Sequence, residues 1–274
     1  MNSSSDPSAC GSSNPAAETQ TIPVSVRGLT MTYGPRLIQS NLSFDVCAGD
    51  IFVIMGGSGC GKSTLLKHML GLLEPAEGDI VYSGESFINA AESKRDAMRR
   101  HWGITFQSGA LFSSMTLAEN ISLPLQLYTR FSSGQIREVV NYKLSLVGLG
   151  GYERYYPAQI SGGMRKRAAL ARAIALDPKI LFFDEPSAGL DPISSRLLDE
   201  LIVQIKESMG ATVIMVTHEL PSIFSIATNS VYLDANTRTM IATGNPKWLK
   251  DHSDQAIVRQ FLSRSANAEG APTA

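Results

Sequence analysis

A glycine-rich stretch at residues 56–63 carries the residue types that bind phosphate groups. It matches the pattern Gly-x-x-x-x-Gly-Lys-Ser, whose glycines let backbone N–H groups turn inward around phosphates. Lys62 is expected to reach the β and γ phosphates, Ser63 to ligate Mg²⁺, and Thr64 to donate near the α phosphate. A glycine-rich turn without a ligand is the alternative, which the strand predicted before it and the helix predicted after it disfavour. The candidate nucleotide-binding residues are Gly56, Gly57, Ser58, Gly59, Cys60, Gly61, Lys62, Ser63 and Thr64.

Two acidic residues follow a short apolar strand predicted at residues 180–183. Ligands of parallel sheets bind at the carboxyl ends of the strands, so Asp184 is expected beside the phosphate loop, holding Mg²⁺ through water. Glu185 is the candidate general base that polarises the attacking water. Solvated acids at an ordinary strand end are the alternative, and the phosphate loop earlier in the chain favours the catalytic interpretation.

A second phosphate-binding pattern opens the helix predicted from residue 162. Ser161, Gly162 and Gly163 offer a hydroxyl, two backbone amides and a helix dipole to a γ phosphate. A helix N-cap without a ligand is the alternative, because serine is a good N-cap residue. The basic residues 165–167 that follow are interpreted as a solvated helix face, with attraction to a membrane surface as the alternative.

The segments around these motifs predict an α/β core into which a helical lobe is inserted. The predicted strands lie within residues 24–46 and at 51–55, 79–82, 104–106, 179–183 and 212–216. The predicted helical segments lie at 62–72, 94–100, 116–147, 162–176, 193–208 and 246–263. The lobe is the segment 116–147, where apolar residues recur at helix spacing.

The composition indicates a folded protein with a large core, since 43% of the 274 residues are hydrophobic. A formal charge of −1 lacks the basic excess of a nucleic-acid-binding surface, so nucleic acid is not expected as a partner. No apolar run approaches the length that crosses a bilayer. Residues 1–21 are rich in Ser, Asn, Pro and Ala and predict a disordered tail.

As a set, the phosphate loop, the acid pair and the segment 160–165 resemble the ATP-binding cassette (ABC) family. Ile160 stands where the family usually has Leu, and Met164 stands where it usually has Gln. The resemblance implies ATP hydrolysis by an α/β P-loop NTPase core of the RecA type, with an antiparallel β subdomain and an inserted α-helical subdomain. It implies a nucleotide-binding domain at 22–244, a helical lobe at about 108–165, and a C-terminal helical extension and tail at 245–274.

Four further residues match functional positions of this family in chain order. The resemblance assigns adenine stacking to Tyr33, sensing of Mg²⁺ and the attacking water to Gln107, and contact with the γ phosphate to His218. Asp191 ends the segment through which two cassettes sense each other, and it joins residues 161–163 in contacting the nucleotide of the opposite subunit. Taken singly, these residues could equally be a core tyrosine, a loop glutamine, a helix cap and a strand-end histidine. The implied catalytic residues are Glu185, His218 and Gln107, and the implied Mg²⁺ ligands are Ser63, Gln107 and Asp184.

The resemblance also implies partners and a place in the cell. A single set of motifs implies a homodimer, with separate transmembrane permease subunits that dock on the helical lobe. Residues 106–116, 161–172 and 258–262 are similar to the ATPases of MCE-type phospholipid transporters, which maintain outer-membrane lipid asymmetry in Gram-negative bacteria. This implies a peripheral protein at the cytoplasmic face of the inner membrane, with an MCE-domain protein and optionally a small accessory cytoplasmic subunit. The alternatives are another ABC transporter, such as a small-solute importer, and a soluble ABC ATPase acting on ribosomes or DNA.

The C-terminal segment 246–263 carries apolar residues beyond the last cassette motif. Trp248, Ile257 and Phe261 are among them, and they predict docking on the partner cassette or on the permease. A helix packed on its own domain is the alternative.

Overall fold

The computed structural model describes residues 23–263, so the predicted tails at 1–21 and beyond 263 lie outside the described residues. The strands are β1 (Val24–Tyr33), β2 (Arg36–Val46), β3 (Ile51–Gly56), β4 (Glu77–Tyr82), β5 (Glu85–Ser86), β6 (Trp102–Thr105), β7 (Ile180–Asp184), β8 (Thr212–Val216), β9 (Asn229–Asp234) and β10 (Thr239–Thr243). The helices are α1 (Lys62–Met69), α2 (Glu92–Arg99), α3 (Leu117–Tyr128), α4 (Ser133–Leu146), α5 (Gly162–Ala173), α6 (Pro192–Met209), α7 (Leu220–Ile226), α8 (Pro246–His252) and α9 (Ala256–Ser263). Among residues 23–263, no helix combines the length and the apolar character needed to cross a bilayer.

The chain divides into two compact units. Residues 23–92 together with 216–263 form the first, which we call the phosphate-loop unit. Residues 93–215 form the second, which we call the signature unit because it contains the segment 161–163. The predicted α/β class is confirmed, since helices and both parallel and antiparallel strand pairs are present.

The phosphate-loop unit contains an antiparallel sheet in the order β2-β1-β4-β5. In the same unit β9 pairs with β3 in parallel and with β10 antiparallel. All six residues of β3 are buried, as expected for an apolar run inside a parallel sheet. The strand therefore delivers its last residue, Gly56, to the loop that starts at the carboxyl edge.

Helix α1 ends three residues before the predicted boundary. Gly71 has a φ of +68°, and its N–H group donates to the carbonyl of His68 at 2.9 Å. The N–H group of Leu72 turns back to the carbonyl of Lys67 at 2.8 Å. This pattern is a glycine-type helix end, which residue periodicity alone does not locate.

The segment 246–263 is helical as predicted, but it folds as two helices, α8 and α9. The break lies at Ser253, which has extended backbone angles and whose carbonyl accepts a hydrogen bond from the Arg259 guanidinium. Both helices pack on their own unit, with Leu249 and Phe261 in a buried cluster with Val53. The packing alternative therefore holds for these buried residues, whereas Trp248 and Ile257 remain exposed.

In the signature unit, β6 and β7 pair in parallel, and the strand order is β8-β7-β6. The helical segment predicted at 116–147 divides into α3 and α4, separated at residues 129–132. Thr116 and Ser132 each begin a helix with a capping box, in which the side chain three residues on returns a hydrogen bond. Pro124 lies inside α3 and does not end it.

Candidate functional site

The phosphate loop joins β3 to α1, and close backbone packing requires two of its glycines. Gly56 has a φ of +149°, and a Cβ at this position would lie 2.3 Å from the Leu233 carbonyl oxygen. Gly61 has a φ of +102°, and a Cβ there would lie 2.7 Å from Ile38 Cγ2. Any other residue would meet both a steric contact and an unfavourable backbone conformation.

The concave side of this loop suits an anion. Lys62 Nζ donates to the carbonyls of Gly56 at 3.1 Å and Gly57 at 3.0 Å, so the ammonium lies over the loop. Within residues 23–263, no atom lies within 4 Å of an ideal Cβ position at Gly57 or Gly59. Helix α1 begins here with Gly61 as its N-cap, so its first N–H groups face the loop without a capping side chain.

A buried glutamine outside the motif supports the phosphate loop. Gln39 on β2 is fully buried, and its Nε2 donates to the carbonyls of Cys60 at 2.7 Å and Asp234 at 3.0 Å. Cys60 itself is 1% exposed, and burial raises the pKa of its thiol. Sequence reasoning missed Gln39, because a single glutamine in a strand carries no motif signal.

Two other predicted ligand-binding residues lie in the phosphate-loop unit with exposed side chains. Tyr33 ends β1 and is 73% exposed, which leaves its ring open to stacking. His218 follows β8 by two residues, after the fully buried Thr217. Thr217 Oγ1 accepts a hydrogen bond from the Glu219 N–H group at 3.1 Å, which shapes the turn into α7.

In the signature unit, the structure brings Gln107 and Glu185 together. Thr105 pairs with Phe183 in the parallel β6–β7 ladder, so each predicted catalytic residue lies two positions beyond a paired one. Lys166 Nζ donates to the Gln107 carbonyl at 2.5 Å and to the Glu185 carbonyl at 3.3 Å. Asp184 ends β7 half-buried. Glu185 is 9% exposed with a φ of +50°, which is unusual for a residue with a side chain.

The predicted second phosphate clamp forms a helix N-terminus. Ser161 is the N-cap of α5, and its Oγ accepts a hydrogen bond from the Met164 N–H group at 3.2 Å. Ser161 and Gly162 are exposed, whereas Gly163 is half-buried and faces Ser194. The segment therefore presents backbone N–H groups and a hydroxyl to solvent.

Asp191 lies close in the fold to this clamp, at the N-terminus of α6. Its carboxylate accepts hydrogen bonds from the N–H groups of Ile193 at 3.1 Å and Ser194 at 3.0 Å. Hydrogen bonds from Ser194, first from its hydroxyl and then from its backbone, lower the pKa of Asp191. A cavity of about 340 Å³ is lined by both segments, with Ser161 and Gly163 on one side and Leu190 and Ser194 on the other.

The basic residues after the clamp bind carbonyl groups inside the signature unit. Arg165 donates to the Ile160 carbonyl at 2.8 Å, and Arg167 donates to the Val147 carbonyl at 3.2 Å. With the two contacts of Lys166, all three cations are engaged with the backbone. The prediction of a solvated face is therefore wrong for Lys166 and Arg167, which are half-buried.

The helical lobe borders a cavity of about 470 Å³ that the sequence did not indicate. Phe112, Leu127 and Tyr128 are exposed apolar residues that line it, together with Arg100 and Arg172. The two guanidinium groups lie over aromatic rings, Arg100 over Tyr128 at 5.5 Å and Arg172 over Phe112 at 5.9 Å. The result is a mainly apolar groove with positive charge at its wall.

Asn120, inside α3, fixes the loop that borders this groove. Its Oδ1 accepts a hydrogen bond from the Phe112 N–H group at 2.8 Å, and its Nδ2 donates to the Phe112 and Met115 carbonyls at 3.1 Å. The side chain is fully buried. Sequence reasoning missed Asn120, because a single asparagine in a helix carries no motif signal.

Comparisons with known proteins identify the family of this chain. Residues 39–188 match the ABC transporter family. The chain is 40% identical to the probable ribonucleotide transport ATP-binding protein mkl of Mycobacterium leprae, over 88% of this chain and 69% of that protein. It is also 40% identical to the intermembrane phospholipid transport system ATP-binding protein MlaF of Haemophilus influenzae, over 87% of this chain and 89% of that protein. A dimeric post-hydrolysis structure of the ATP-binding cassette MJ0796 with ADP and Pi matches with a TM-score of 0.73 and 28% identity, over 81% and 98% of the two chains.

Proposed function

Because this chain is an ATP-hydrolysing subunit that belongs to the ABC transporter family, we propose that it powers phospholipid transport between the inner and outer membranes of a Gram-negative bacterium. The observation that carries the proposal is the 40% identity to the phospholipid-transport protein MlaF along 89% of that protein's length. The amino-acid sequence of residues 106–116 and 161–172 supports the proposal, since these segments resemble the ATPases of MCE-type transporters.

Ribonucleotide transport is a second candidate cargo. The relative named for that activity, mkl of Mycobacterium leprae, is equally similar at 40% identity. The two names describe different cargo, so the cargo must be decided by experiment. A small-solute importer of another ABC class is the remaining alternative.

In the proposed mechanism, the phosphate-loop unit binds the nucleotide. Lys62 moves its ammonium from the loop carbonyls to the β and γ phosphates, where a charge-assisted contact is stronger. The N–H groups of residues 57–64 bind the phosphate oxygens, because they turn inward at the N-terminus of α1. Tyr33 stacks on the adenine, and His218 contacts the γ phosphate.

The signature unit supplies the hydrolytic groups in this proposal. Glu185 accepts a proton from the attacking water, and Gln107 orients that water. Ser63, Gln107 and Asp184 are the proposed protein ligands of Mg²⁺, which when bound neutralises charge on the β and γ phosphates. Few protein ligands suffice, since Mg²⁺ keeps several waters and substrate oxygens. The hydroxyl of Ser63, the amide of Gln107 and the carboxylate of Asp184 supply oxygen atoms, which are the donor type that Mg²⁺ prefers.

We infer that two copies act together. Ser161, Gly162, Gly163 and Asp191 are proposed to contact the nucleotide bound to the partner copy. Their exposed N–H groups and hydroxyl fit this role, and the MJ0796 cassette is a dimer in its solved structure. ATP bound between two copies would hold them together, and hydrolysis would release them.

We propose that the groove of the signature unit receives a transmembrane permease. Phe112, Leu127 and Tyr128 offer exposed apolar surface for the end of a permease helix, and Arg100 offers charge for its carbonyl end. In this proposal the protein is bound to the permease at the cytoplasmic face of the inner membrane. An MCE-domain lipid-binding protein, and optionally a small accessory cytoplasmic subunit, complete the proposed assembly.

The test is affinity purification of the tagged chain from gently solubilised membranes, followed by identification of partners and an ATPase assay in lipid nanodiscs. A permease together with an MCE-domain protein, with turnover that responds to phospholipid, is the expected result. Recovery of a permease alone, with turnover stimulated by ribonucleotide, would replace phospholipid by the second candidate. Ribosomal or DNA-bound partners would end the transport proposal and leave the ATPase.

A further inference from the structure

Side chains of helix α5 in the signature unit donate hydrogen bonds to the backbone of the Gln107 and Glu185 segments. From the side of α5, Lys166 donates to the carbonyls of Gln107 and Glu185. Arg172, six residues further along α5, donates to the carbonyls of Ala110 at 2.8 Å and Gly109 at 3.2 Å. Four hydrogen bonds thus run from α5 to two loops, and each joins a cation to a carbonyl oxygen, which is stronger than a neutral pair.

These segments contain the strained backbone of this region. Glu185 has a φ of +50° and Ala110 a φ of +49°, although neither is glycine. Such a conformation is unfavourable for a residue with a side chain and persists only where its surroundings hold it. The carbonyls of these two residues accept hydrogen bonds from Lys166 and Arg172, respectively. Long side chains of α5 therefore hold the two strained residues.

The Lys166 side chain is half-buried. With Thr105, Phe183 and Pro186 it lines a cavity of about 10 Å³, which has room for at most one water. Gly109 faces the same helix, and a Cβ there would lie 3.3 Å from Ala169 Cβ. The position of the Lys166 ammonium is set by the two carbonyl oxygens to which it donates.

We propose that Lys166 is a positioning residue of ATP hydrolysis, which fixes the separation between the Gln107 and Glu185 segments. It does not touch ATP, and it acts through the two carbonyls that it bridges. The proposal rests on the catalytic roles assigned to Gln107 and Glu185 in the proposed function. Because Lys166 lies one turn inside the helix that Ser161 caps, it also links the partner-facing clamp to the catalytic acids.

The test compares Lys166→Met with Lys166→Arg in the full-length chain, or in the permease complex if turnover requires it. Met keeps the length of the stem without the ammonium, and a misplaced reacting group costs about 100-fold in rate. Lys166→Met is therefore expected to lower kcat by about 100-fold while the KM for ATP stays within about threefold. Lys166→Arg keeps a cationic donor and is expected to restore at least a third of wild-type kcat. Lys179→Met, an exposed lysine of the same unit, is the matched control and should retain wild-type kcat and KM.

Each outcome decides the proposal. A Lys166→Met enzyme with kcat within twofold of wild type overturns it, as does a Lys166→Arg enzyme no better than Lys166→Met. If Lys166→Met does not fold, Lys166→Gln carries the test, since its amide keeps N–H donors without the positive charge. About tenfold lower kcat at unchanged KM supports the proposal, and unchanged kcat ends it. Normal turnover by Glu185→Gln would instead show that the proposed catalytic role has failed.

Discussion

The phosphate loop and the catalytic acids are held in place by contacts of different range. Lys62 donates to carbonyls five and six residues before it, so part of the loop is held by contacts within its own sequence, and Gln39 of β2 adds support from outside. Glu185 and Gln107 depend on Lys166, which is 19 and 59 residues away from them in the chain. A substitution within the phosphate loop changes the conformation of the loop itself. Loss of a long-range hydrogen bond such as that from Lys166 can leave the fold intact. Damage to the first region should therefore appear as lost nucleotide binding, and damage to the second as lost turnover.

The largest effect is expected from Glu185→Gln, which tests the second half of this contrast. Gln matches the shape of Glu but cannot accept the proton of the attacking water, so kcat should fall about 1,000-fold. ATP affinity should stay within about threefold, since the phosphate loop is untouched. Phosphate release and binding of a fluorescent ATP analogue measure the two quantities. Glu207→Gln, an exposed acid on α6, is the control. Turnover near wild type in Glu185→Gln would move the role of general base to another residue.

The next largest effect is expected from Gly61→Ala, which tests how closely the phosphate loop is packed against β2. The new Cβ would lie 2.7 Å from Ile38 Cγ2 at a φ of +102°, so the loop must change shape. ATP affinity should fall about 10- to 100-fold, measured by titration with the fluorescent analogue. Gly151→Ala is matched, because its φ is +90° but no described atom lies within 4 Å of its Cβ position. An equal loss of affinity in both variants would contradict the assignment of the effect to the loop.

A smaller effect is expected from Gln39→Met, which asks how far the phosphate loop is self-contained. The substitution leaves the buried carbonyls of Cys60 and Asp234 without this donor. The free energy of unfolding should fall by about 2 to 3 kcal/mol, measured by denaturant titration. Gln135→Met, at an exposed helix cap, should cost less than about 1 kcal/mol. A loss below about 0.5 kcal/mol for Gln39→Met would show that the loop keeps its shape without β2.

The smallest effect is expected at Asp191, an exposed cap in the signature unit. Its hydrogen bonds lower its pKa from the ordinary 3.8, so the stability that it contributes is present above this value. That contribution is lost as pH falls through the lower pKa of the folded state. At pH 7, Asp191→Ala should lower Tm by about 2 °C, and the difference from wild type should shrink below about pH 4. Asp191→Asn keeps an acceptor oxygen and should remain near wild type at pH 7. A difference for Asp191→Ala that does not change with pH would contradict the pKa argument.

The irregular pairing of β1 and β2 explains why Gln39 was missed. The apolar residues Leu42, Phe44 and Val46 predict that even positions of β2 face inward. Leu29 pairs with Leu42, and Met31 pairs with Gln39, so β2 advances three residues while β1 advances two. This bulge changes the alternation and turns Gln39 into the interior. A strand pattern cannot show a bulge that depends on its partner strand.

The sequence alone identified the residues of the phosphate loop, because the glycines, the lysine and the hydroxyl residues of the motif lie within eight neighbouring positions. The sequence also identified the acid pair after β7 and the clamp at the start of α5, because each is a short run of neighbouring residues. The tertiary structure decided what holds these groups, since a hydrogen bond such as that from Lys166 to Gln107 depends on the packing of α5 against β6. It likewise decided that residues 246–263 form two helices, because the break at Ser253 depends on the buried cluster around Leu249 and Phe261. Local chemistry follows from residue order, whereas contacts between distant positions depend on the packing of whole elements.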